Sequence, residues 1–235
     1  MNFLILQHLQ IEPGAYIAEL IEAAGHRCRV VRRDHGECWP VEMRDYHGVI
    51  VMGGPQSAND QTTMISEEIT FVAQMLAQGM PMLGVCLGAQ LMARAAGAAI
   101  IPSPLRELGW WPVQRTAAGS DDLLFSALPA EMQVFQWHGE SFTLSDRMTL
   151  LATHPEVPAQ AFRVGVLQYG MQFHLEVDAA IIADWIAAGA SERAHLGSDG
   201  IARLLADTAR DLATARAHCR TLVTAWLQGC ENAGA

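Results

Sequence analysis

A single cysteine flanked by glycines is the part of the sequence best suited to covalent chemistry. Cys86 lies between Gly84 and Gly88, after the apolar run 80–83 and before the helix-like segment 91–96. A nucleophile on a tight turn between a buried strand and a helix needs neighbours without side chains. The N–H groups and dipole at the start of the helix also favour the thiolate. The spacing alone allows either a cysteine nucleophile or an ordinary core cysteine.

A histidine and a glutamate two residues apart provide a candidate base and its partner. His174 ends a predicted strand, and Glu176 follows it at the spacing that places both side chains on one side of an extended backbone. A cysteine nucleophile needs a base that takes its proton and a group that orients the base. Cys86, His174 and Glu176 therefore form a candidate triad. Seven other histidines show no partner pattern and are expected to be structural or exposed: His8, His26, His35, His47, His154, His195 and His218.

The first half of the chain contains the elements that would position the cysteine. Strands are predicted at 3–7, 27–31, 48–52 and 80–85, with helices at 15–24 and 66–78. This alternation is typical of a parallel sheet with helices on both faces. Active sites in such sheets form at the C-terminal ends of the strands, where the Gly53-Gly54 turn and Cys86 are expected.

The second half has a different pattern. Short β-type segments at 111–114, 134–136, 150–153, 161–164 and 166–174 predict antiparallel strands that extend the sheet. Helices are predicted at 178–188 and 201–227, the second with an N-cap at Ser198-Asp199. The apolar stripe of the second helix, which includes Leu205, is expected to pack on the domain's own surface, with a homodimer contact as the alternative.

These patterns predict one α/β domain over residues 1–235. It has three layers, α/β/α, around a mainly parallel sheet with an antiparallel extension and a long C-terminal helix. Its length of 235 residues and hydrophobic fraction of 51% are enough for a substantial core.

Composition excludes several functional classes. The formal net charge of −10 argues against nucleic acid as the main partner, because phosphate binding needs clustered Lys and Arg. The five cysteines lack metal-binding spacing and indicate a reducing compartment with free thiols. The N-terminus has no signal-peptide pattern, and no apolar run approaches the ~20 residues that span a bilayer. We expect a cytoplasmic protein without a membrane segment.

Three motifs together resemble those of the class I, triad-type glutamine amidotransferases. They are Gly-Val-Cys-Leu-Gly-Ala-Gln at 84–90, Tyr-Gly-Met-Gln-Phe-His-Leu-Glu at 169–176, and Val-Met-Gly-Gly-Pro-Gln-Ser at 51–57. The motifs occur in the family's order, and the resemblance covers nearly the whole chain. It implies a flavodoxin-like α/β/α fold.

The resemblance also implies a role for each catalytic residue. Cys86 would attack the γ-amide of glutamine, or of another γ-glutamyl compound, and form a thioester. His174 would act first as base and then as acid, and Glu176 would orient it. The backbone N–H groups of Gly54 and Leu87 would form the oxyanion hole. No metal or organic cofactor is implied.

Further residues are candidates for binding the substrate. The run Phe-Gln-Trp-His-Gly-Glu-Ser-Phe at 135–142 resembles the segment that binds the α-amino and α-carboxylate groups, in the version found in stand-alone GMP-synthase-like amidotransferases or γ-glutamyl peptidases. The candidate substrate-binding residues are Gly53, Gly88, Gln90, Trp137, His138 and Glu140.

Three functions stay open at this stage. The chain lacks the Ser-Gly-Gly-x-x-Ser loop of an ATP-using synthetase domain. It could be a glutaminase that supplies ammonia to a separate synthetase subunit. It could instead be a self-sufficient hydrolase of γ-glutamyl amides or peptides. A non-catalytic module of the same fold is the third alternative, and the complete candidate triad argues against it.

Overall fold

The computed structural model describes residues 1–233, whose strands all belong to one nine-stranded sheet. The strands are β1 (Asn2–Gln7), β2 (Arg27–Arg32), β3 (Gly48–Val51), β4 (Met82–Val85), β5 (Ile100–Arg115), β6 (Glu131–Phe142), β7 (Thr149–Thr153), β8 (Ala161–Arg163) and β9 (Gln168–Met171). The helices are α1 (Ala15–Ala23), α2 (Thr63–Ala77), α3 (Leu87–Ala95), α4 (Ala117–Ser120), α5 (Ala179–Ala188) and α6 (Ala190–Ala233).

The sheet has a parallel half and an antiparallel half. Its order is β2-β1-β3-β4-β9-β8-β7-β5-β6, with parallel pairing from β2 to β9 and antiparallel pairing from β9 to β6. Alternate residues of β1 enter different cores: Phe3 and Ile5 pack with α1 and α6, whereas Leu4 and Leu6 pack with α2 and α3. The predicted α/β fold, with its parallel sheet and antiparallel extension, is confirmed.

The β5–β6 hairpin is much longer than the sequence pattern predicts. The predicted strands 111–114 and 134–136 are only short parts of strands of 16 and 12 residues, the first of them at the C-terminal end of β5. Prolines at 102, 104 and 112 weaken the strand pattern of β5, since proline cannot donate to the ladder. The ladder accommodates part of this run by a register shift between Pro102 and Glu107. The long hairpin places residues 137–140 on a strand.

A short helical segment precedes the predicted C-terminal helix. The two together form α6 but are separated at Gly197, whose φ of 63° is in the left-handed region, so the helix that contains 201–227 begins after Gly197. The predicted N-cap at Ser198-Asp199 follows this interruption directly. Leu204 and Trp226 pack into the cores of the described chain, as predicted, but Leu205 is 48% exposed because adjacent helical residues lie about 100° apart.

No helix within residues 1–233 has both the length and the apolar composition needed to cross a membrane.

Candidate active site

Cys86 lies on the turn between β4 and α3. Its φ of 50° is unusual for a residue with a side chain. The turn is held on both sides, because the N–H of Cys86 donates to the Met171 carbonyl at 2.8 Å and its own carbonyl accepts from the Gln90 N–H at 3.0 Å. Such backbone strain costs about 1–3 kcal/mol and persists only where the surroundings impose it. Strain of this kind is expected at a nucleophile placed on a tight turn.

The glycines flanking Cys86 allow the close packing that this turn requires. A Cβ at Gly88 would lie 1.9 Å from the Val51 carbonyl oxygen, so only glycine lets α3 approach β3 this closely. A Cβ at Gly84 would lie 2.6 Å from the sulfur of Met92. Gly88, a candidate substrate-binding residue, thus packs against β3.

His174 lies beyond the end of β9, three residues after the strand's last residue, Met171. It is held there by a single bridge to β6, in which its N–H donates to the Phe135 carbonyl at 2.8 Å. The predicted strand therefore ends earlier than expected. Nδ1 of His174 donates to Oε1 of Glu176 at 2.7 Å, and both side chains are buried.

The imidazole of His174 lies between Glu176 and Cys86. Since Nδ1 is engaged by Glu176, Nε2 is the nitrogen left for the neighbouring sulfur. Burial lowers the pKa of His174, but Glu176 and Cys86 outweigh burial and raise it to about 10. The cluster thus favours a protonated imidazole beside the sulfur.

The Gly53-Gly54 turn after β3 lies against this cluster. A Cβ at Gly53 would be 3.3 Å from Cε1 of His174 and 3.7 Å from Cβ of Cys86, and one at Gly54 would be 2.8 Å from Cδ2 of Leu87. Within residues 1–233, the N–H groups of Gly54 and Leu87 have no hydrogen-bond partner in the protein. Both are therefore available to a group bound at Cys86.

These residues border a cleft of about 590 Å³. Cys86 and His174 line the cleft, as do Gly54 and Leu87. Four of the six candidate substrate-binding residues also line it: Gln90, Trp137, His138 and Glu140. Glu176, Gly53 and Gly88 lie behind the lining residues.

Gln90 is connected to the strand that carries three of these candidates. Its Nε2 donates to the Glu140 carbonyl at 3.1 Å and to Oε1 of Gln172 at 3.2 Å. Gln172 in turn places its Nε2 3.6 Å from the sulfur of Cys86. The side-chain amide of Gln90 therefore fixes the wall of the cleft near the sulfur.

His138 has acceptors at both ring nitrogens. Nδ1 lies 3.0 Å from the Glu140 carbonyl, and Nε2 lies 3.0 Å from Oε2 of the fully buried Glu107. Trp137 is half-buried, and its ring stacks on Phe135 with the centroids 6.0 Å apart. The strand thus presents one aromatic side chain and one paired histidine to the cleft.

Sequence reasoning missed two residues that follow β1. Glu12 lines the cleft, and its carboxylate lies against Gly53; burial raises its pKa, while His174 and His8 lower it. His8 is fully buried and lies 3.0 Å from Oε1 of Glu68. Both residues follow the C-terminal end of a parallel strand that pairs with β3, and this position in the sequence could have indicated that they lie near the site.

Comparison with known proteins gives the family. The family model for class I glutamine amidotransferases matches residues 14–181, and the chain belongs to this family. A putative glutamine amidotransferase-like protein of Salmonella typhimurium, YfeJ, is 32% identical over 172 residues, covering 69% of this chain and 70% of that protein.

Longer relatives match only in part. A glutamine-hydrolysing GMP synthase of Parafrankia is 31% identical over 178 residues, which cover 72% of this chain but 31% of that protein. The chain therefore spans about a third of that relative's length.

Solved structures of the same family share the fold. A glutamine amidotransferase from Thermotoga maritima has a TM-score of 0.87 at 26% identity, with 96% of this chain and 97% of that chain covered. One from Methylobacillus flagellatus has a TM-score of 0.88 at 25% identity, with 97% and 94% covered.

Proposed function

We propose that this protein hydrolyses the γ-amide of glutamine, or of a related γ-glutamyl compound, with Cys86 as nucleophile, His174 as base and acid, and Glu176 as the residue that orients the histidine. The observation that carries the proposal is the connected arrangement at the cleft. Nδ1 of His174 lies 2.7 Å from Glu176, and the ring lies beside a cysteine on a strained turn. Membership of the amidotransferase family supports the same chemistry.

The first half of the reaction forms a thioester. The proton of Cys86 passes to Nε2 of His174, and the sulfur attacks the γ-carbonyl carbon. The resulting oxyanion accepts hydrogen bonds from the N–H groups of Gly54 and Leu87. When the tetrahedral intermediate collapses, the C–N bond breaks and His174 returns its proton to the nitrogen, which leaves as ammonia or as an amine.

The second half restores the enzyme. His174, now neutral, takes a proton from water while the water oxygen attacks the thioester carbon. Collapse of this second intermediate breaks the C–S bond and releases glutamate. Glu176 stays hydrogen-bonded to Nδ1 throughout and stabilises the imidazolium each time it forms.

A second candidate function is the hydrolysis of γ-glutamyl amides or peptides by this chain alone. The cleft of about 590 Å³ lies within the range of about 300–1,000 Å³ typical of pockets for drug-sized ligands, so it offers room for a leaving group larger than ammonia. In the first candidate function the ammonia would instead pass to a synthetase that uses it, since a GMP synthase is among the relatives that this chain matches. Cleavage of a peptide-like substrate distinguishes the two.

The test is the release of glutamate and ammonia from L-glutamine by the purified chain, with a γ-glutamyl dipeptide assayed beside it. Turnover of either substrate that is abolished in Cys86→Ala supports the proposal. Activity that survives Cys86→Ala on every substrate contradicts it. Efficient dipeptide cleavage with weak glutaminase activity would identify the γ-glutamyl hydrolase, and the reverse would identify the glutaminase.

A further inference from the structure

The geometry points to His8 and Glu68 as a positioning pair that orients the Gly53-Gly54 peptide and thereby the oxyanion hole. This inference rests on the proposed function, and it adds two residues that do not touch the substrate. Neither lies in a motif that carries the family resemblance.

The contacts of His8 fix what its two nitrogens do. Nδ1 lies 3.0 Å from the Gly53 carbonyl oxygen, and Nε2 lies 3.0 Å from Oε1 of Glu68. A carbonyl oxygen only accepts, so Nδ1 must carry a proton. The pair is completely buried: Oε1 of Glu68 pairs with His8, whereas Oε2 has no hydrogen-bond partner within residues 1–233.

Glu68 is positioned from a second side. The guanidinium of Arg33 lies 3.8 Å from the same carboxylate oxygen. Burial lowers the pKa of His8, but the hydrogen bond and charge of Glu68 outweigh burial and raise it. His8 is thus held as a donor with a fixed direction.

The consequence for the oxyanion hole follows from peptide geometry. The Gly53-Gly54 peptide is trans, so the Gly53 carbonyl and the Gly54 N–H point in opposite directions. His8 holds the carbonyl on one side, which directs the N–H to the other, towards Cys86 and Leu87. Without this bond two adjacent glycines could rotate, because neither has a Cβ to restrict its backbone.

Two amide substitutions separate the two contacts of His8. In His8→Gln the amide nitrogen takes the place of Nε2, which keeps the donor to Glu68 and removes the donor to Gly53. In His8→Asn the amide nitrogen takes the place of Nδ1, which keeps the donor to Gly53. His35→Gln, at an exposed histidine, is the control for substitution as such.

We expect His8→Gln to lower kcat for γ-glutamyl hydrolysis by about 10- to 100-fold, somewhat less than the complete loss of an oxyanion donor. KM should stay near the wild-type value, and His8→Asn should recover most of kcat. Alkylation of Cys86 by iodoacetamide should proceed at the wild-type rate in both variants, because that displacement forms no oxyanion.

The outcomes are distinct. Wild-type kcat in His8→Gln, equal losses in both variants, or a loss of kcat matched by slower alkylation would overturn the positioning role. An inactive wild-type chain would overturn the proposed function together with this inference. An active wild-type chain with an unaffected His8→Gln would overturn the inference alone.

Discussion

Two buried histidine–glutamate pairs lie against the Gly53-Gly54 turn. The N–O distance is 2.7 Å in His174–Glu176 and 3.0 Å in His8–Glu68, and the glutamate raises the pKa of the histidine in both. The pairs differ in the group available to the second ring nitrogen. For His174 that group is the neighbouring thiol of Cys86, which can give up and regain a proton; for His8 it is a carbonyl, which cannot. The second contact therefore makes one pair a proton carrier and the other a fixed donor.

The strongest test of this difference removes the proton carrier. His174→Ala should lower kcat by about 10⁴-fold or more, since the triad acts as a unit. It should also slow the alkylation of Cys86 by iodoacetamide, because the thiolate loses its neighbouring imidazolium. Both kcat and the alkylation rate should fall in His174→Ala, whereas only kcat should fall in His8→Gln, so measuring both rates in both variants distinguishes the roles of the two pairs. Unchanged alkylation in His174→Ala would mean that the histidine does not activate the sulfur.

A smaller effect is expected when only the partner of the proton carrier changes. Glu176→Gln should lower kcat by roughly 10²- to 10⁴-fold, since the histidine keeps its place but loses the charge that stabilises its protonated form. Burial lowers the pKa of His174 and the charge of Glu176 raises it, so loss of the carboxylate charge should lower this pKa. The basic limb of the pH–rate profile should then move to lower pH. A basic limb that stays in place, or moves to higher pH, would contradict the role of Glu176.

A third pair extends the comparison to the substrate side of the cleft. Glu107 lies 3.0 Å from His138, which also contacts the carbonyl of Glu140. A hydrogen bond contributes about 0.5–1.5 kcal/mol, so Glu107→Gln should raise KM roughly 2- to 10-fold, with kcat nearly unchanged. His154→Gln is the control, because its nitrogen lies 3.9 Å from the other carboxylate oxygen. A loss confined to kcat would place the effect at the nucleophile instead.

The three pairs also show what the sequence could and could not predict. His174 and Glu176 are two residues apart, so an extended backbone alone brings them together. His8 and Glu68 are 60 positions apart and meet only after β1 and α2 pack against the same turn. Local periodicity carries no information on such a contact, although the place of His8 at the end of a parallel strand indicates its side of the sheet.

The same contrast applies to the fold. The parallel half follows from short apolar segments that alternate with helices. Its inner strands β1, β3, β4 and β9 are buried on both faces, whereas the edge strand β2 is mostly exposed. The full length of β5 was missed because its prolines weaken the strand pattern, and its ladder with β6 tolerates them through a register shift. The end of such a strand is decided by its pairing with a neighbouring strand, and the sequence of one segment carries no information on that pairing.

The smallest expected effect is on stability, and its sign distinguishes a charged from a neutral His8. Folding raises the pKa of His8, so its contribution to the free energy of unfolding is complete below the unfolded value of about 6.5 and is lost as pH rises through the folded pKa. The difference in the free energy of unfolding between wild type and His8→Gln, measured by urea unfolding at pH 5.5 and pH 9, should therefore narrow at the higher pH. His35→Gln should show no such change. If this difference in the free energy of unfolding widens at high pH, the folded protein prefers neutral His8. His8 would then donate to the Gly53 carbonyl as the neutral tautomer with its proton on Nδ1, and its charge would not be needed.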